Sequence, residues 1–200
     1  IMKKIWCIVL VGILGVVSLM SGCSSSAEEN DSGALKVAFV SPVVDSEAAE
    51  TYAQILTQRD ASITGVECTS ITMGSSEKDP TGYMAATVQL TGLIASQEID
   101  VIFFDIESAA ADARNDTFYA LSDLFTEEEL AKMDGKTIDY AQVDEEGNEI
   151  SERTAAVGLN VSTEEDLTEF MNSDEIGIYI VGNAPHVDQA KALLLSYVTE

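Results

Sequence analysis

Gln97-Glu98-Ile99-Asp100-Val101-Ile102-Phe103-Phe104-Asp105 is the stretch on which the fold turns. From Ile99 to Phe104 every residue but Asp100 is apolar, without the alternation of a strand wetted on one face. The segment therefore predicts a central strand covered on both sides, the kind found in sheets wrapped by helices. On its N-terminal side, Asp79 offers an N-cap with Pro80 at the first helical position, and Tyr83, Ala86, Leu90, Leu93 and Ile94 make the inner stripe of a helix running to about Gln97. Further back, Val66 to Met73 reads as a strand. Before it, Asp45 or Ser46 caps a helix whose apolar face is Ala49, Tyr52, Ala53 and Leu56, and Leu35 to Val40 reads as a first strand ended by Ser41-Pro42.

Downstream of Asp105, Ala109 to Asn115 predicts a short helix, and Thr126-Glu127-Glu128-Glu129 has the capping-box form of another that stops before Gly135. Thr137 to Val143 and Thr154 to Val161 flank the turn-rich Asp144-Glu145-Glu146-Gly147-Asn148, which predicts an antiparallel hairpin. A second capping box is expected at Ser162-Thr163-Glu164-Glu165. Ile176 to Val181 reads as a last strand, and Pro185 to Val198 as a closing helix with Val187, Ala190, Leu194 and Val198 facing inward. Strands alternating with helices define an α/β class: one three-layer domain over residues 34–200, its sheet mostly parallel, with an added antiparallel hairpin.

The 200 residues carry 10 Lys plus Arg against 35 Asp plus Glu. With Lys3 and Lys4 in a segment expected to be removed, eight basic side chains remain against 35 acidic ones, a net charge of −27. Such a surface repels phosphate backbones, so nucleic acid is not an expected partner. The acidity serves solubility, or attracts cations and cationic ligands. Of three cysteines, Cys7 lies in the apolar leader, Cys23 follows it, and Cys68 stands alone in a strand-like context, where a buried small hydrophobe is expected. The fold is therefore expected to hold without disulfides.

Lys3 and Lys4 precede an uncharged run from Ile5 to Met20, the n-region and h-region of an export signal. At about 1.5 Å per residue the run falls short of the roughly 30 Å of a bilayer's hydrocarbon core. It ends in Leu19-Met20-Ser21-Gly22-Cys23, which resembles the lipobox of bacterial lipoproteins, with Met20 where that family most often has Leu. The resemblance implies a signal peptide over 1–22, a diacylglycerol thioether on Cys23, and an extracytoplasmic protein anchored by acyl chains that contribute about 0.8 kcal/mol per buried CH₂. Residues 24–33, small and polar throughout, predict a flexible tether.

The order of elements in the body, with Gln97–Asp105, Leu121-Ser122-Asp123-Leu124-Phe125 and Ile178-Tyr179-Ile180-Val181-Gly182-Asn183-Ala184-Pro185, is similar to the first lobe of the solute-binding lipoproteins of ABC importers, of the type II periplasmic-binding-protein fold. The resemblance implies capture of a small solute and delivery to a permease. Those proteins close two lobes on a ligand, and this chain has too few residues for a full second lobe. The alternative is an accessory or scaffolding surface lipoprotein that binds another protein.

In open α/β sheets ligands gather beyond the carboxyl ends of the strands, where strand order reverses. That edge is expected to collect Ser41, Ser75, Ser76, Asp105, Glu107, Ser108 and Asn183. Asp105 with Glu107 could hold a cation or an amine, or both could be solvated loop residues or helix caps. The acidic turn from Asp144 to Glu149 lacks the alternating oxygen ligands of an EF-hand, and His186, the one histidine, is expected at the surface or in a first helical turn. No nucleophile elbow, zinc motif or phosphate loop is present, so no catalytic residue, metal ligand or cofactor is expected.

Overall fold

The computed structural model describes residues 32–144 and 148–199, with residues 151–153 described as backbone only. The leader over 1–22, Cys23 and nearly all of the tether lie outside the described residues, as do Glu145 to Gly147 of the hairpin turn. No described helix is long and apolar enough to cross a membrane.

The elements follow in the order β1 (Leu35–Ser41), α1 (Ser46–Leu56), β2 (Val66–Thr72), α2 (Pro80–Ala95), β3 (Val101–Asp105), α3 (Ile106–Arg114), α4 (Leu121–Leu124), α5 (Glu127–Lys132), β4 (Thr137–Val143), β5 (Glu149–Asn160), α6 (Glu165–Met171), β6 (Ile176–Ile180) and α7 (Val187–Ser196). The local signals act as expected where they depend on a few neighbouring residues. Asp45 caps α1 by accepting from the amides of Glu47 and Ala48, Asp79 accepts from Gly82 at the start of α2, and Thr126 forms a reciprocal capping box with Glu129. Gly135, at φ +78°, supplies the left-handed turn after α5. The box expected at Ser162 does not form. Its hydroxyl instead accepts from the amide of Ile176 at 2.9 Å, and α6 begins two residues later than that box would start it, with Glu164 at its N-cap and no side-chain cap bond.

The six described strands form one sheet in the order β2-β1-β3-β6-β5-β4. β1 pairs in parallel with β2 and with β3, and this half is the α/β unit expected from Ile99–Phe104. The other half is antiparallel: β6 enters beside β3, β5 pairs with β6, and β4 with β5. The expectation of a mostly parallel sheet thus holds for one half only, because the last strand reverses direction and takes the place next to β3. From β1 the chain steps outward to β2, then back across to β3, so right-handed crossovers put α1 and α2 on opposite faces.

The core follows from the register. On one face Phe39, Phe103 and Ile178 share a row, and Phe39 stacks on Phe103 at 5.2 Å while Tyr52 of α1, Phe170 of α6 and Tyr197 after α7 pack edge-on or tilted around them. On the opposite face Tyr179 stacks on Phe118 at 4.6 Å and lies over Gly158 and Gly177. A Cβ at Gly158 would sit 2.6 Å from that ring, so glycine is required for the approach.

Candidate functional site

The strand order reverses between β1 and β3, and the structure brings Ser41 and Asp105 together there, one residue beyond the Val40–Phe104 pair. Of the residues expected at the carboxyl edge, these two do meet at a switch point. It is not open. The segment from α6 to β6 lies across it and takes up the polar groups that a ligand would need.

Ser41 is fully buried, and its hydroxyl lies 2.6 Å from the Met171 carbonyl and 2.7 Å from the Val43 carbonyl, either of which takes its one proton. Asp105 caps α3. Its Oδ1 accepts from the amide of Ser108 at 3.0 Å and from the Ser108 hydroxyl at 2.8 Å, and its Oδ2 accepts from the Ser173 hydroxyl at 2.7 Å. Backbone bonds from Asp45 to the Phe170 carbonyl and from Ile106 to the Glu175 carbonyl close the same gap. A carboxylate with both oxygens engaged this way is a structural clasp, and the helix-cap reading of Asp105 is the one its geometry supports.

The remaining expected residues do not converge. Glu107 is exposed in the first turn of α3, where the helix dipole favours it. Ser75 and Ser76 are exposed in the turn after β2, and Ser75 Oγ accepts from the Glu77 amide. Asn183 stands at the opposite edge of the sheet. Because β6 runs against β3, Ile180 pairs with Val101 and everything after β6 emerges where β3 begins. There Asn183 donates to the Ile94 carbonyl at 2.8 Å. Its inclusion in the expected site is corrected by strand polarity, which residue spacing does not reveal.

Two features escape the sequence reading. Asp100 is fully buried yet accepts three bonds: from the amide of Lys36 at 2.8 Å, from the amide of His186 at 2.6 Å, and from His186 Nδ1 at 2.9 Å. His186 occupies the N-cap position of α7 with a side chain only 12% exposed, so it is a packing partner rather than a surface residue. The available signal was a lone acid inside an otherwise apolar strand, which a buried charge partner must explain.

The second feature is a recess of about 600 Å³ between α1 and α6. It is lined by the acids Asp45, Asp166 and Glu169, by Thr51, and by Ala48, Ile55, Tyr52 and Phe170, of which the buried Tyr52 and Phe170 make the floor. A smaller recess of about 300 Å³ lies among Phe118, Tyr140, Val157 and Asp123.

Cys68 is half-buried rather than buried, and burial with the nearby Glu50 pushes its thiol up, away from the thiolate. Burial likewise pushes the phenols of Tyr52, Tyr179 and Tyr197 up. Among the described residues no group of three or more His, Cys, Asp or Glu side chains is arranged to hold a metal ion.

In comparisons with known proteins, no family model matches this sequence, no curated protein matches it, and no solved structure matches its fold. What the fold defines for the described residues is an α/β unit with one mixed sheet, its switch point closed by the chain's own α6–β6 segment.

Proposed function

We propose that this chain is an extracytoplasmic lipoprotein, anchored to a bacterial membrane by acyl chains on Cys23, whose α/β domain serves as a docking module for another protein at the cell surface. The observation that carries the anchoring is the run of Lys3-Lys4, an uncharged stretch to Met20, and Ser21-Gly22 before Cys23. Small residues ahead of the cysteine admit a signal peptidase to the bond, and two or more acyl chains hold the mature protein at the bilayer.

For the domain, the return of β6 into the middle of the sheet beside β3 supports the likeness to one lobe of an importer's solute-binding lipoprotein. Solute capture and delivery to a permease is thus the second reading. Docking is preferred because Ser41 and Asp105 are consumed by the α6–β6 segment, while the acidic recess between α1 and α6 is open to solvent.

The anchoring is tested by growing cells that express the chain or its Cys23→Ala variant with a radiolabelled fatty acid, then separating membrane and soluble fractions. Label and membrane retention are expected for the parent chain and not for the variant. A parent chain that carries no label removes the basis of the reading.

A further inference from the structure

We infer that the recess between α1 and α6 is a binding groove for a basic amphipathic segment of a partner protein, an inference that rests on the docking reading above. Asp45, Ala48, Tyr52 and Ile55 follow one another at spacings of three and four, so they form a single stripe along α1. Ten residues of helix rise about 15 Å, so the α1 side of the groove runs nearly the length of that helix, while the α6 side, from Asp166 to Phe170, is shorter. The Asp45 amide bonds to the Phe170 carbonyl at one end, and Arg59 beyond α1 pairs with Glu164 ahead of α6 at the other. The two helices are therefore antiparallel, and the acids are distributed along the groove: Asp45 with Glu169 near one end, Asp166 nearer Ile55.

The floor is apolar and preformed. Tyr52 and Phe170 are packed against each other with ring centroids 5.5 Å apart, braced from behind by Phe39 and Phe103. Ile55, by contrast, is 40% exposed, an apolar side chain that a partner would cover. The lining offers the carboxylates of Asp166 and Glu169 and one oxygen of Asp45, whose Oδ1 is taken up in capping α1, and no cation. Arg59, the cation beside the groove, is committed to Glu164 and stacks 3.9 Å above the Tyr197 ring. An anionic or wholly apolar occupant would leave these carboxylates repelled or desolvated without compensation. A single small amine would reach one end only. A segment with basic side chains on its flanks and aliphatic ones facing Ile55 satisfies both walls and floor along the full length.

The test uses the full chain purified in a neutral detergent and a fluorescein-labelled peptide of about twelve residues, long enough to span the groove as a helix. The peptide has Leu on one helical face and Lys on its flanks. Fluorescence anisotropy is expected to rise saturably. Asp166→Asn combined with Glu169→Gln should weaken binding by about tenfold or more, as should Ile55→Ser, whereas Glu98→Gln with Glu127→Gln, the same change in charge outside the groove, should leave it within about twofold. All of these positions are exposed, and circular dichroism verifies that each variant is folded.

Equal weakening by both double variants would reduce the binding to general charge attraction and overturn the groove. Displacement of the peptide by spermine at matching concentrations would assign the recess to free amines instead. No saturable binding would also overturn it, while fatty-acid labelling at Cys23 would stand, so the groove and the anchor fail separately.

Discussion

Asp100 shows what one buried carboxylate does in this sheet. It receives two backbone amides and an imidazole nitrogen, and so ties the start of β1, the start of β3 and the turn before α7 to one atom group. Replacing it with alanine leaves those donors buried without partners, and Asp100→Ala is expected to lower stability by about 2–4 kcal/mol in urea unfolding. Asp112 is the opposite case. It sits half-buried in α3, and burial raises its carboxyl above the ordinary range. Below the ordinary aspartate value, about pH 4, both folded and unfolded chains hold the proton and nothing is lost. As pH rises through the raised folded value, the folded chain must charge a desolvated group and stability falls. Asp112→Asn is therefore expected to stabilise the protein at about pH 7 and to make no difference at about pH 3, read as a gap between the two urea midpoints that closes on acidification.

Among the elements, the joint between α1, α6 and α7 depends on Arg59. Its guanidinium pairs with Glu164, the residue ahead of α6, and lies over Tyr197, the residue that ends α7. The Tyr197 hydroxyl meets that of Tyr52 at 3.0 Å, which brings α1 into the same cluster. A planar cation is needed to stack and pair at once, so lysine is a poor substitute. Arg59→Lys is expected to cost about 1–2 kcal/mol, and Arg59→Ala more. In hydrogen exchange, the amides of α6 should lose protection in these variants before those of β3 do. Loosening α6 should also free Ser41 and Asp105, since that segment is what covers them.

For the molecule as a whole, the decisive placement is that of β6. It is the last strand in sequence yet lies inside the sheet, holding the parallel half to the hairpin of β4 and β5. A chain ending at Asp174 would leave β3 and β5 without the strand between them. It is expected to show no cooperative urea transition, whereas a chain beginning at Gly33, which keeps the whole compact unit, should unfold in one step with native-like circular dichroism. The excess of 35 acidic over 10 basic side chains adds self-repulsion to the folded state. Raising sodium chloride from about 0.05 to 0.5 M shortens the screening length to a few ångströms and should raise Tm. A Tm unchanged by salt would show that the acids repel one another too weakly to matter.

What could be read from residues alone was whatever depends on near neighbours. Asp45, Asp79 and Thr126 act as caps because a side chain reaches an amide two or three positions on, and within the run Ile99–Phe104 the residues Val101–Phe104 form a buried strand because the apolar run leaves no wet face. That Ser41 and Asp105 both stand at the carboxyl ends of strands was legible too, but that β1 and β3 are neighbours with the order reversing between them came from the sheet itself. Three other things were settled only by long-range packing. The direction of β6 sent Asn183 to the far edge, the α6–β6 segment filled the edge where a ligand was expected, and the approach of α6 to α1 made the acidic groove. Strand polarity and helix juxtaposition are set by which apolar faces meet between segments far apart in the chain. Local sequence carries no record of that choice, because the same apolar stripe can be buried against either of two partners.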